Sequence, residues 1–127
     1  MTLLDPELIT HEAVALDIMK VSAYLQAALG QKLTAYIAGV NDPKMVGRWA
    51  LGRVQPRAAT NLRLREAYKA TRMLVEAYDA TTAKAWWVGT NTRLDDHAPA
   101  AVLRKAADPE AARFVAPAAR AFAGGPA

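Results

Sequence analysis

The chain has no cysteine among its 127 residues, which excludes disulfides and cysteine-ligated metals and suits a reducing compartment such as the cytoplasm. Serine occurs once, at Ser22, with no base beside it, and no glycine-rich loop suits a phosphate, so nucleophilic and nucleotide chemistry have no candidate. Histidine occurs only at His11 and His97. Asp95, Asp96 and His97 lack the usual ligand spacing and read as a solvated loop rather than a metal or acid–base site. Apolar runs are interrupted by charge every few residues. The opening "MTLLDPELIT" is not a basic leader followed by an apolar stretch, so neither a membrane span nor a secretory signal is expected. Aromatics make up only 7% of a composition whose apolar share is swollen by alanine, so a few large side chains must anchor one small core or two very small ones. No enzyme, cofactor or metal is expected.

What is present is helical periodicity and a displaced charge. In residues 1–29 a single lysine stands against four carboxylates, and in residues 30–72 nine basic residues oppose only Asp42 and Glu66. The remainder, 73–127, holds six of each sign. The basic block has two readings: a polyanion partner whose counterions are released on contact, or a solvated surface serving solubility.

Nothing reads as a sheet. Asp-Pro occurs at Asp5-Pro6, Asp42-Pro43 and Asp108-Pro109, and each pair signals a helix start. Aspartate accepts from first-turn N–H groups, and proline lacks only a donor that would be orphaned there. The spacing predicts a first helix from Pro6 to Gly30 with a stripe of Val14, Ile18, Val21 and Leu25. A short helix follows over Lys32–Ala38, with Leu33, Tyr36 and Ile37 apolar, and another over Pro43–Leu51. A long helix without glycine or proline runs from Arg57 to about Ala80, with Leu64, Ala67, Tyr68, Thr71, Leu74, Val75 and Tyr78 on one face. Beyond it are expected a helix ending at Gly89, an irregular segment "TNTRLDDHA", a short helix from Pro99 to Lys105, and a last helix from Pro109 toward Gly124. That last helix should be kinked by Pro117, with Phe114, Val115, Ala118 and Phe122 on one side and a frayed "GGPA" end.

The expected fold is therefore all-α. Residues 1–80 form a helical N-terminal region with a helix-turn-helix at about 32–51 and the long helix 57–80; residues 81–127 form a small helical region. In the stretch "DPKMVGRWALGRVQP", Val46 and Trp49 share a face and should be core, each burial giving roughly 1.5–3 kcal/mol. The opposite face presents Lys44, Met45, Gly47 and Arg48, with Arg53 and Arg57 just beyond. Lys44, Met45, Arg48, Arg53 and Arg57 are the candidate DNA contacts, because a short basic second helix after a turn is the groove-reading plan.

Together, "DPKMVGRWALGRVQP", a long helix and "AWWVGTNTRLDDHAPAAVL" resemble antitoxins of the Xre/MbcA/ParS type, over about Leu33 to Phe122. The C-terminal pattern of the family falls here on Trp86, Asn91, Leu94, Pro99 and Val102 or Leu103. The resemblance implies an antitoxin whose N-terminal part binds operator DNA and dimerises, within a larger hetero-oligomer. Its C-terminal part would cover the active site of an NAD-consuming RES-domain toxin. It implies toxin contacts at Trp86, Trp87, Asn91, Leu94, Pro99 and Leu103. To these the neutral C-terminal segment adds Phe114 and Phe122 as anchors, and Arg113 and Arg120 as cations seven apart on the last helix. Trp86 and Trp87 point about 100° apart on a helix, so either one is core and the other an anchor, or both are buried against different neighbours. Asn91 reads best as a local backbone cap after Gly89. A stand-alone helix-turn-helix repressor of bacterial or phage origin is the alternative, and a scaffolding bundle would also explain the apolar stripes.

Overall fold

The computed structural model describes residues 5–124, and the C-terminal three residues of the expected frayed end lie outside them. The described chain is an all-α bundle. All three Asp-Pro pairs begin helices: α1 (Pro6–Ala15), α4 (Lys44–Ala50) and α8 (Pro109–Ala112). Asp5, Asp42 and Asp108 accept from the N–H groups of Glu7, Lys44 and Ala111 at 2.9, 3.0 and 2.9 Å.

The expected first helix is two helices. It breaks at Leu16, whose backbone is extended, and restarts as α2 (Ile18–Leu29) because Asp17 caps a new first turn through Met19 N–H at 2.8 Å. The break takes Val14 out of the stripe; it is 74% exposed, while Ile9 and Ala13 are the buried face of α1 and Ile18, Val21, Leu25 and Leu29 that of α2. The carbonyls left open at the end of α1 are met from outside, by Arg65 donating to Ala13 O at 2.9 Å and Leu16 O at 2.7 Å.

Helix α3 (Gln31–Ala38) and α4 flank the turn 39–43. Gly39 sits in the left-handed region at φ +88°, with its own N–H and that of Val40 returning to Ala35 O. That conformation requires glycine, and a Cβ there would also displace the Arg63 guanidinium, which it would meet at 2.5 Å. Val46 and Trp49 are buried as expected, Ile37 likewise, but Tyr36 is 43% exposed and leaves the apolar side assigned to it.

The long helix α5 (Ala58–Ala77) is the spine, about 30 Å long, and it touches α1, α2 and α3 as well as the helices that begin at Ala80 and Val115. Leu64, Ala67, Tyr68, Thr71 and Leu74 are buried along it. Tyr78, expected on that face, lies past the last turn, is exposed, and donates its phenol to Phe122 O at 3.1 Å.

Helix α6 (Ala80–Val88), a single 3-10 turn (Thr92–Leu94) and α7 (Pro99–Lys105) follow. The last expected helix is broken into α8 and α9 (Val115–Ala123). Pro117 explains where: it cannot donate to Arg113 O and its ring crowds that carbonyl, so the interruption falls at Arg113–Phe114, four residues before the proline. The break leaves Val115, Ala118 and Ala119 inward and turns Phe114 and Phe122 outward, against the shared side expected for them. Buried residues from Ala13 to Ala119 form one contiguous cluster, so both sides of residue 80 share a core.

At the α1–α5 contact, Glu12 accepts from both Tyr68 Oη and Arg72 Nη1, and Arg72 lies 5.6 Å from the ring centres of Tyr24 and Tyr68. Burial pushes both phenols up to about 12; the Glu12 carboxylate adds to this at Tyr68, while Arg72 opposes it at both. A raised folded value stabilises fully below the unfolded tyrosine value near 10, and this stabilisation is lost as pH rises through about 12. Denaturant unfolding across that window should show a falling midpoint, with phenolate absorbance from Tyr24 and Tyr68 appearing only on unfolding until near its top. Full ionisation of both in the folded protein near pH 10 would contradict this environment.

Candidate partner and nucleic-acid interfaces

The nine basic residues of the 30–72 block divide by what they touch. Arg63 donates to Ala38 O at 3.1 Å and Ala106 O at 2.7 Å, Arg65 holds the end of α1, Lys69 pairs with Glu66 at 2.8 Å, and Arg72 pairs with Glu12. These four are half-buried and belong to the architecture. Lys32, Lys44, Arg48, Arg53 and Arg57 are exposed. Four of the five lie on α4 and the loop that follows it, where Asp42 is the nearby carboxylate, 3.8 Å from Arg48.

Two neighbours expected on the same open face turn inward. Met45 is half-buried against the core and receives Arg48 Nη1 at 3.2 Å from its sulfur. A Cβ at Gly47 would stand 3.0 Å from Gln31 Nε2, so this position packs toward α3. The exposed edge of α4 is therefore narrower than its sequence suggests: Lys44 and Arg48, continued by Arg53 and Arg57.

In the C-terminal region both tryptophans are buried, against different partners. Trp87 donates its indole N–H to Thr71 Oγ1 at 3.0 Å, tying α6 to α5. Trp86 meets Trp87 edge-on at 5.1 Å, and its own indole nitrogen has no hydrogen-bond partner. Leu94, Pro99 and Leu103 are also buried. Trp87, Leu94, Pro99 and Leu103 thus hold the region together and offer almost no surface in the free chain. Their spacing is explained by packing: Leu94 closes the 3-10 turn, Pro99 starts α7 and Leu103 is its inward face.

Four of the remaining candidates come together. An open groove of about 1010 Å³ is floored by Trp86 and Ala85 of α6 and by Ala118, Ala121 and Phe122 of α9, with Asn91, Arg93 and Arg120 at its edges. Asn91 also accepts from Arg93 N–H at 2.9 Å, capping the 3-10 turn, so its first role is local. Arg113 shares a second, smaller groove of about 510 Å³ with Arg120 and Pro117, which places the two arginines on one surface despite the helix break. Phe114 lies apart, with the Arg113 guanidinium over its ring at 4.2 Å.

Arg93 and the alanines of this groove were missed. Thr82, Ala85 and Trp86, and likewise Ala118, Ala121 and Phe122, repeat the same three-then-one spacing on the two helices that line the groove. Alanine carries no flag in a chain so rich in it.

Among the described residues no cluster of three or more His, Asp or Glu is placed to hold a metal, and no helix is long and apolar enough to cross a membrane. A chain from the crystal structure of the M. tuberculosis MbcT–MbcA toxin–antitoxin complex is similar to this one, with a TM-score of 0.65 and 26% sequence identity over 87% of this chain and 97% of the other. The similarity is to the antitoxin, MbcA. No family model and no curated protein matches.

The unequal tryptophans give a test. Trp87→Phe strands a buried Thr71 hydroxyl and should cost about 1–3 kcal/mol more in denaturant unfolding than Trp86→Phe, which has no hydrogen bond to lose. Equal losses would contradict the Trp87–Thr71 bond.

Proposed function

We propose that this chain is the antitoxin of a toxin–antitoxin pair, working by obstruction through its C-terminal groove and regulating its own operon through the basic edge of α4. The observation that carries the reading is the likeness to MbcA, which spans nearly the whole of that chain and most of this one. A groove with an apolar floor and arginines at its rim supports it, because such a surface needs only shape and charge to block a partner's active site. The finer reading is that the toxin carries a RES domain and consumes NAD, and that the antitoxin acts as a dimer within a larger complex. The contact residues proposed for the toxin are Trp86, Asn91, Arg113, Arg120 and Phe122, with Phe114 at the periphery.

The DNA reading rests on Lys44, Arg48, Arg53 and Arg57, exposed together after the turn 39–43 while the other arginines of the block are engaged internally. A stand-alone repressor would use the same edge and leave the groove idle, so the groove decides between the two readings.

Replacing Lys44 or Arg48 with Ala should weaken binding to upstream DNA by about 1–3 kcal/mol and relax sequence preference where the side chain reads a base. A phosphate contact would weaken every sequence alike and flatten the salt dependence. Titration over a salt series measures both, and a parent chain that binds no DNA at any salt would end the DNA reading.

Toxin neutralisation should be lost in Arg120→Ala combined with Phe122→Ala, each central contact being worth roughly 2 kcal/mol, while DNA binding persists. Point changes are the right probe: truncation after residue 80 would strip Trp86, Trp87 and Leu103 from the shared core and unfold what remains. The readout is growth of cells expressing a RES-domain toxin from the neighbouring gene. Full protection by the double variant, with its melting unchanged, would remove the groove from the mechanism.

A further inference from the structure

The turn 39–43 that sets the pose of α4 is held from the far side of the chain. Arg104, on α7, donates through Nη1 to Tyr36 O at 2.7 Å and Val40 O at 3.4 Å, and through Nη2 to Asn41 Oδ1 at 3.0 Å. The guanidinium also lies 4.7 Å from the centre of the Tyr36 ring. Asn41 precedes Asp42, the residue that caps α4 and pairs with Arg48. The same end of α3 is gripped by Arg63, which simultaneously holds Ala106 O just past α7. Two cations thus tie the turn before α4 to the C-terminal region, and neither belongs to the exposed basic edge.

We propose that Arg104 is a positioning residue for DNA recognition: it fixes the turn 39–43, and through Asp42 the orientation of Lys44 and Arg48, without touching DNA itself. The proposal rests on the DNA-binding reading of α4. Its physical basis is that two backbone carbonyls, Tyr36 O and Val40 O, and the Asn41 side-chain oxygen are met by one planar fork, which no other side chain can reproduce. Without that fork the turn retains Gly39, its local hydrogen bonds, the Arg63 bridge and the packing of α3 on α7, but loses its own direct bonds to α7. A second consequence follows for the whole molecule. DNA binding then draws on a residue of the C-terminal region, far along the chain from the basic edge, so the two regions are thermodynamically linked.

The experiment compares the parent with Arg104→Ala and Arg104→Lys as full chains. Amide hydrogen exchange of residues 36–44 is measured in the free proteins, and affinity for upstream DNA is titrated over a salt series. Arg104→Ala should exchange faster at Val40 through Lys44 and bind DNA on the order of tenfold more weakly, with an unchanged salt slope. Arg104→Lys, able to reach one carbonyl at a time, should recover only part of both. Exchange in the turn as slow as the parent's would overturn the proposal while leaving the DNA reading intact. A weakened affinity with a flatter salt slope would also overturn it, by making Arg104 a direct phosphate contact. A parent that binds no DNA would remove the DNA reading and the proposal together, and the slower exchange of its turn would then describe stability alone.

Discussion

Arg65 reaches from α5 to Ala13 and Leu16, Arg63 from the same helix to Ala38 and Ala106, and Arg104 from α7 to Tyr36 and Val40. All six acceptors are carbonyls at or near the end of a helix. Short helices make this arrangement necessary: every helix end leaves up to four carbonyls without an internal partner, and the last turns here abut the core where water cannot serve all of them. A guanidinium meets several at once and brings positive charge to the negative end of the helix dipole. Charge-assisted bonds of this kind contribute roughly 1.5–3 kcal/mol in well-buried settings, and less here, where the arginines are only half-buried. Their larger effect is geometric. Each one fixes the relative position of helices whose apolar contacts alone, dominated by alanine, would leave poorly specified.

The same economy governs charge at the surface. A net positive block that looks uniform in sequence is divided by folding into cations that hold helix ends or half-buried carboxylates and cations that stay exposed. The exposed ones gather on the edge of α4 and the following loop because that edge has no helix packed over it. Within the acidic N-terminal segment Glu12 is likewise drawn inward, facing Tyr68 and Arg72, while Asp5, Glu7 and Asp17 stay exposed. Electrostatic field at the candidate DNA surface therefore comes from Lys44, Arg48, Arg53 and Arg57, with Asp42 as its nearest counterweight.

Most of the element boundaries were legible because their chemistry is local. The three Asp-Pro starts, the turn at Gly39, the glycine- and proline-free run of α5 and the limits of α7 all follow from which groups a residue can donate, accept or exclude within one turn. The breaks at Leu16 and Arg113 were harder, for different reasons. Asp17 lies in a stretch whose apolar spacing continues across it, so its ability to cap a new helix competes with periodicity, and the outcome depends on Arg65 from distant α5. Pro117 signals a kink, and its consequence is a two-residue turn at Arg113–Phe114, both still helical in backbone angles, placed at the carbonyl the proline cannot meet. The C-terminal site was least legible. A spacing of Trp86, Asn91, Leu94, Pro99 and Leu103 marks the positions but not their direction, and burial assigns Leu94, Pro99 and Leu103 to the core. A pattern made of scaffolding residues marks where the chain packs and leaves unmarked which neighbours face outward.

The two candidate surfaces sit on one core, and this constrains how they can work. Trp87 joins α6, which floors the groove, to Thr71 on α5; α5 supplies Arg63, which holds both the end of α3 and the end of α7; α7 supplies Arg104 to the turn before α4. A partner that shifts α6 or α9 acts on elements joined by buried contacts to the spine, and the spine is joined to the turn by hydrogen bonds of ordinary length. Independence of the surfaces would require a flexible joint between residues 77 and 80, yet the helices on either side of that junction pack into the same buried cluster. Coupling between such sites is reciprocal in free energy: a ligand of the groove that changed affinity at the α4 edge would have its own affinity changed by the same factor by a ligand there.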